Sequence, residues 1–163
     1  MKCSVCAATM VSRRENYRYD ECDLPNVTLL NIEVRRCPAC GERAAVIPRV
    51  EELHRGLALA VIRKPNRLAP REIRFLRKYL GWSGVDFARH MGVNPQHVSR
   101  WESTREPKPM GPTADRALRL MVAIQPPVRD YSLDHLAELS RGTEPLALVT
   151  MRVTPHGWER DAA

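Results

Sequence analysis

Two Cys-x-x-Cys pairs are the residues of this sequence whose types and spacing point most directly to chemistry. The pairs are Cys3 with Cys6 and Cys37 with Cys40, each inside a short turn-like knuckle. Two thiolates separated by two residues can hold one ion from a single tight turn, and two such turns complete a tetrahedral all-thiolate site. Because four thiolates leave no position open for a substrate, the pattern predicts one structural zinc ion and argues against catalytic zinc.

Other uses of paired cysteines fit this sequence less well. Redox Cys-x-x-Cys motifs and disulfides are the alternatives, but neither pair lies in a βαβ pattern, and the expected cytoplasmic location disfavours disulfides. The fifth cysteine, Cys22, lies between Glu21 and Asp23 and is interpreted as a plain free thiol near a hairpin tip.

A second pattern, between Asn94 and Ser103, predicts a helix that reads DNA. Asn94 is a good N-cap, and Pro95 suits the first helical position because its missing N–H has no partner to lose there. Val98 and Trp101 are spaced to face inward, which leaves a polar outer face. Glutamine can pair bidentately with adenine and arginine with guanine. The candidate DNA-contacting residues of this helix are Asn94, Gln96, His97, Ser99, Arg100 and Ser103.

The segment before this helix predicts a first helix with one apolar and one basic side. Ile73, Leu76 and Leu80 keep helical spacing and would face the core. The opposite side is basic, and three of its residues are expected to contact DNA phosphates. These three are Arg71, Arg74 and Lys78.

Two further helices complete the predicted unit. Ser83 can cap the helix before the reading helix, and Gly92 supplies the turn between the two. The expected buried side of that helix is Val85, Ala88 and Met91. The run Pro107-Lys108-Pro109 ends the reading helix. A closing amphipathic helix is then predicted from Ala114, Ala117, Leu118, Met121 and Val122. The alternative is a helical bundle with an exposed polar helix and no DNA-binding role.

The region around the cysteines predicts a hairpin arm followed by a helix. Residues 10–19 and 27–36 are strand-like, with a turn at residues 24–26. Residues 48–62 carry an apolar stripe at helical spacing. The charged residues Arg63, Lys64 and Arg67 that follow are either a solvated run or further phosphate contacts.

The expected organisation is α+β, with four segments. They are a four-cysteine zinc-binding module with a β-hairpin arm and trailing helix (1–64), a linker (65–69), an all-α DNA-binding domain (70–126) and a C-terminal extension (127–163). Within the extension, residues 132–140 predict a short helix, residues 146–153 a weak edge strand, and residues 155–158 a loose end. The sequence does not assign the extension a role.

Composition favours a polyanionic partner and a soluble chain. The formal net charge is +7 and the isoelectric point about 9.5. No apolar stretch approaches bilayer-spanning length, and the N-terminus lacks the apolar core of a signal peptide, so a cytoplasmic location is expected. No membrane association is predicted. An enzyme is disfavoured because no nucleophile–base or paired-carboxylate constellation stands out.

The helical region resembles the Cro/repressor-type helix-turn-helix. Three signatures of that family stand in order: Leu80-Gly81-Trp82-Ser83, Gly92-Val93-Asn94 and Val98-Ser99-Arg100-Trp101-Glu102. The family has a DNA-touching Gln directly after the capping Ser, whereas Gly84 stands there in this sequence. The chain also resembles the MqsA-type (YgiT-type zinc finger) antitoxins over residues 1 to about 125, through the start Met1-Lys2-Cys3-Ser4-Val5-Cys6, the second knuckle and the Ser99-Arg100-Trp101-Glu102 run.

This second resemblance implies a function. Its family has a structural zinc ion, a toxin-binding zinc module, and a dimeric C-terminal domain that binds palindromic DNA through an Asn and an Arg one turn apart. Gln96 and Arg100 look like those two positions. The expected function is therefore a sequence-specific transcriptional repressor that is a homodimer on a palindromic operator, and the antitoxin of a type II toxin–antitoxin pair that autoregulates its operon. The alternative is a zinc-containing transcription regulator with no toxin partner.

Overall fold

The computed structural model describes residues 1–125 and 142–161 of the 163-residue chain. The helix predicted over residues 132–140 lies outside this part. The chain forms two compact units, each built from separate stretches. Unit 1 comprises Met1–Tyr19, Asn26–Leu53 and Leu148–Ala163, and unit 2 comprises Asp20–Pro25 and His54–Ala147.

Unit 1 is built on a five-stranded sheet. Strands β1 (Val11–Arg18) and β2 (Val27–Arg36) pair antiparallel and confirm the predicted hairpin arm. Strand β3 (Arg43–Val46), which the sequence analysis did not predict, pairs antiparallel with the C-terminal half of β2. Alternate β2 residues are buried because that strand lies at the centre of the sheet.

A bulge in β2 keeps its apolar residues on the buried side. Glu15 pairs with Ile32 and Tyr17 with Leu29, so β2 carries one more residue than β1 between these pairs. Asn31 takes a left-handed conformation at the bulge, with φ 52°, and its N–H donates to Oδ1 of Asn16 at 3.2 Å. Leu29 and Ile32 are both buried as a result.

The end of the chain completes the same sheet. Strand β4 (Val149–Thr154) runs parallel to β2 and pairs with its N-terminal half, and β5 (Gly157–Arg160) pairs antiparallel with β4. β4 is therefore an internal strand and not the predicted edge strand, and its Met151 is buried. The end predicted to be loose is a β-hairpin, fixed by a hydrogen bond from Nε1 of Trp158 to the Pro48 carbonyl at 2.7 Å.

The described elements of unit 2 are helices. Most of α1 (Val50–Arg63) belongs to it, followed by α2 (Pro70–Tyr79), α3 (Gly84–Met91), α4 (Pro95–Trp101) and α5 (Pro112–Ala123). The bounds follow the local signals. Ser83 caps α3 by accepting from the Asp86 N–H at 3.1 Å, and Gly92 ends it at φ 64°. None of the helices in the described residues is long and apolar enough to cross a bilayer.

The buried side of α3 differs from the prediction. Ala88 is buried as expected, but Val85 is 66% exposed. Phe87 is fully buried in its place, between Trp82 and Trp101, with both ring centroids 6.2 Å away. The phenyl ring thus makes the core contact that the shorter Val85 was expected to supply.

The segment between α1 and α2 is held by buried charges. Arg119 on α5 is fully buried, pairs with Asp115 at 2.6 Å and donates to the carbonyls of Ile62, Lys64 and Asn66. Asp115 also accepts from the Leu68 N–H. These bonds satisfy carbonyls and amides of an irregular segment that no regular secondary structure pairs.

Lys64 is likewise an internal residue. It is 6% exposed and pairs with the buried Glu72 at 2.6 Å. The suggestion that Lys64 contacts phosphates is therefore wrong. Arg67 is half-buried and donates to the Met110 carbonyl at 3.3 Å.

Candidate metal centre and candidate nucleic-acid interface

The two cysteine knuckles of unit 1 share one backbone design. In the first, the Ala7 N–H donates to the Cys3 carbonyl at 3.0 Å; in the second, the Gly41 N–H donates to the Cys37 carbonyl at 2.9 Å. Ala7 and Gly41 both have a left-handed backbone, with φ 60° and 77°. The same turn occurs twice, so each knuckle aims its two sulfur atoms at one point.

The four sulfur atoms lie close enough to hold one ion. All are within 4.8 Å of one another. The nearest pairs are Cys6 with Cys37 at 3.3 Å, Cys6 with Cys40 at 3.5 Å, and Cys3 with Cys40 at 3.6 Å. A tetrahedral ion with sulfur bonds of about 2.3 Å separates its ligands by about 3.8 Å, whereas a disulfide needs about 2.05 Å. All five cysteines are free thiols. The spacing therefore fits a metal ion and not a disulfide.

Metal binding requires thiolates, and the thiols of the cluster differ in how readily they lose a proton. Hydrogen bonds with the Cys37 thiol raise the pKa of Cys6 and raise that of Cys40 to about 12. The backbone N–H of Cys40 holds the pKa of the Cys37 thiol at about 6. The Val5 N–H donates to the Cys3 sulfur at 3.4 Å. The amide that points at the Cys37 sulfur therefore stabilises its negative charge before an ion arrives, and this stabilisation does not extend to Cys6 and Cys40.

Cys22 is separate from this cluster and chemically different. It is 6% exposed, and burial raises the pKa of its thiol to about 11. A buried, protonated thiol is a poor nucleophile and a poor ligand. The prediction of a free thiol is confirmed, although its burial was not anticipated.

The outer face of α4 carries the side chains that the sequence assigned to base reading. Gln96, His97, Ser99 and Arg100 are exposed, while Val98 and Trp101 are 3% and 8% exposed. Asn94 caps the helix by accepting from the Gln96 N–H at 2.9 Å. α4 packs on α3, which places the buried pair on the Phe87 side. Gln96 and Arg100 therefore share a solvent-facing edge of unit 2.

A cluster of charges fixes the C-terminal end of α4 to α2. Glu102 accepts from Nε and Nη2 of Arg77 at 2.6 and 2.9 Å, and Arg77 also donates to the Trp82 carbonyl. Arg74 donates to the Glu102 carbonyl at 3.0 Å. Because the Arg77 guanidinium makes two hydrogen bonds to the Glu102 carboxylate, it restricts the rotation of α4 about its axis more than a single bond would.

The remaining predicted DNA contacts, three for phosphates and Ser103 of the predicted reading helix, differ in whether their side chains already have a partner within the chain. Arg71 is exposed at the first turn of α2. Lys78 is exposed but pairs with Asp23, and Arg74 is occupied by Glu102. Ser103 is half-buried, and its hydroxyl accepts from the Glu106 N–H at 3.2 Å. Charge runs in the sequence could not reveal the partners of Arg74 and Lys78, because both ion pairs join residues far apart along the chain.

Comparisons with known proteins add no relative. No protein-family model matches the chain, and no match to it occurs among curated proteins or solved structures.

Proposed function

We propose that this chain is a sequence-specific DNA-binding repressor of the Cro/repressor-type helix-turn-helix class, with one structural zinc ion in unit 1. The observation that carries the proposal is the outer face of α4, where Gln96 and Arg100 are exposed one turn apart above a buried Val98 and Trp101. Amide and guanidinium groups in this arrangement match the edges of adenine and guanine. The order of α2 to α5 and the net charge of +7 are consistent with a DNA partner.

The reading geometry implies a two-fold homodimer on a palindromic operator. Each half-site would receive one α4, with half-sites about one helical turn apart. Arg71 would bind a phosphate and position the helix without reading sequence. Zinc is the metal of choice because four thiolates form its usual closed structural site.

The test begins with selection of binding sites from a random duplex pool. Binding of the selected site is then measured by fluorescence anisotropy at several salt concentrations. We expect Arg100→Ala to weaken binding by about 1–3 kcal/mol and to relax preference at one base of each half-site. Arg71→Ala should weaken binding to all sequences and reduce the salt slope by about 1.

Arg55→Ala is the matched control, because it removes the same charge from an exposed site on α1. We expect it to leave both affinity and preference unchanged. Failure to select any preferred sequence would contradict the proposal, as would equal effects of Arg100→Ala and Arg55→Ala.

We further propose, on the resemblance to MqsA-type antitoxins, that unit 1, which carries the four clustered cysteines, binds a toxin protein. Its support is the pair of knuckles and their place ahead of the helical region. Affinity purification from the native host followed by mass spectrometry should recover one small protein in stoichiometric amount. A regulator without a toxin would yield the homodimer alone.

A further inference from the structure

A cavity of about 300 Å³ lies within unit 2 where four segments of the chain meet. Its walls are largely apolar, and four prolines, one from each segment, line it. These are Pro25, Pro70 at the start of α2, Pro107 between α4 and α5, and Pro145. Proline has no N–H and a fixed ring, so the lining is rigid and without a backbone donor at these four positions. The volume is at the lower end of the range for small-molecule sites.

Buried polar contacts hold two of these walls in place. Glu72, which is 1% exposed, accepts from the Ala69 N–H on one side and from the Leu146 N–H on the other, both at 2.7 Å. Its charge is balanced by Lys64 at 2.6 Å. The segment that carries Pro145 is therefore fixed to the start of α2, so these two walls are held by contacts within the protein.

The charge that remains at the cavity is positive. Glu72 is neutralised by Lys64, which leaves the exposed guanidinium of Arg71 among the described lining residues. Thr104 and Thr143 add two hydroxyl groups to the lining. A guanidinium binds a carboxylate bidentately and also stacks on aromatic rings.

We propose that this cavity binds a small aromatic carboxylate, with the ring between the proline walls and the carboxylate on Arg71. A bare inorganic anion would cover none of the apolar walls, and an uncharged ring would make no charged hydrogen bond to Arg71. Where the proposed DNA-binding function holds, such a ligand lowers operator affinity, because Arg71 cannot hold the carboxylate and a DNA phosphate together. The site would then be an effector site.

The test uses the full chain without DNA and benzoate as the probe, followed by calorimetry and ligand-observed NMR. We expect saturable binding with a Kd on the order of 1 mM, which is reasonable for a ligand of about nine heavy atoms. Benzyl alcohol, which lacks the charge, and acetate, which lacks the ring, should bind at least tenfold more weakly.

Three variants locate the binding. Arg71→Gln and the cavity-filling Thr143→Phe, both at exposed positions, should each weaken benzoate binding at least tenfold. Arg105→Gln, an exposed residue of the α4–α5 loop outside the cavity lining, should not. Absence of saturable binding, or equal affinity in Arg71→Gln and Arg105→Gln, would overturn the proposal. Operator binding is measured separately, so a chain that binds benzoate but no DNA would refute the proposed function and leave the cavity assignment standing.

Discussion

The five cysteines show how local backbone geometry sets the chemistry of one residue type. Cys3 and Cys37 are buried and Cys6 and Cys40 exposed, yet all four sulfurs meet at one point. Cys22 is buried in unit 2 with a raised pKa. The ligand set can be told from the sequence because each pair is local and the turn that it needs is short. The burial of Cys22 could not be predicted from the sequence, because it depends on packing by residues that are distant along the chain.

The first prediction tests whether the four clustered cysteines, and not Cys22, bind the metal ion. Cys37→Ser should lower the metal content from one ion per chain to well below one, because three thiolates and a hydroxyl bind a soft ion poorly. Cys22→Ser is the matched control and should retain one ion per chain. Metal content is measured by mass spectrometry of the purified chain. Equal loss of metal in both variants would contradict the assigned ligand set.

Arg119 is buried, although a charged residue is usually expected on the surface. It lies in the amphipathic helix α5 and would ordinarily be placed on the solvent-facing side, yet it is fully buried. We expect Arg119→Met to lower the free energy of unfolding by about 3–5 kcal/mol, because Asp115 would remain buried without its ion pair. Urea denaturation measures the change. The exposed Arg116 on the same helix gives the control, and Arg116→Met should change stability by about 1 kcal/mol or less, the usual limit for an interaction at the surface.

At the scale of elements, helix bounds could be predicted and their charged contacts could not. Ser83, Gly92 and the Asn94-Pro95 pair act within one turn of their own positions, so the sequence contains the whole signal. The bond between Arg77 and Glu102 joins two helices, and nothing local distinguishes Arg77 from the basic residues beside it. Val85 and Phe87 illustrate the same limit, since helical spacing allows either to face the core.

The contact between α2 and α4 gives a prediction at this scale. Arg77→Met should lower stability by about 2–3 kcal/mol, because Glu102 is only 10% exposed at its side chain and loses two charged hydrogen bonds. Lys78→Met, the next residue on the same helix, removes a surface pair with Asp23 and should cost about 1 kcal/mol or less. Urea denaturation distinguishes the two. Similar costs would indicate that Glu102 does not fix the end of α4.

At the scale of the whole chain, the C-terminal residues belong to the sheet that carries the cysteine knuckles. Strand β2 has β1 along one edge, while β3 and β4 share the other edge, β3 beside Glu33–Arg36 and β4 beside Val27–Leu30. The sequence could predict the β1–β2 hairpin because two strand-like runs follow each other along the chain with a turn signal at residues 24–26. It could not predict the β2–β4 pairing, because a parallel partner lies far along the chain and the alternation within β4 is weak.

The last prediction concerns the edge of β2 that β3 and β4 share. Ending the chain at Ala147 removes β4 and β5 and leaves the N-terminal half of β2 without its partner. Hydrogen exchange should then accelerate at those amides of Val27–Leu30 that pair with β4, whereas the amides of Glu33–Arg36 that pair with β3 stay protected. The second half of the same strand is thus an internal control.

A point variant covers the case in which the shortened chain does not fold. Met151 is 1% exposed, so Met151→Ala should cost about 2–5 kcal/mol, while the exposed neighbour Arg152→Ala should cost about 1 kcal/mol or less. Unchanged protection at Val27–Leu30 in the shortened chain, or equal costs for the two variants, would contradict the assignment of β4 to the sheet. The expected pattern would instead show that β4 and β5 are a structural part of unit 1. The chain that ends at Ala147 should then also bind the metal ion more weakly.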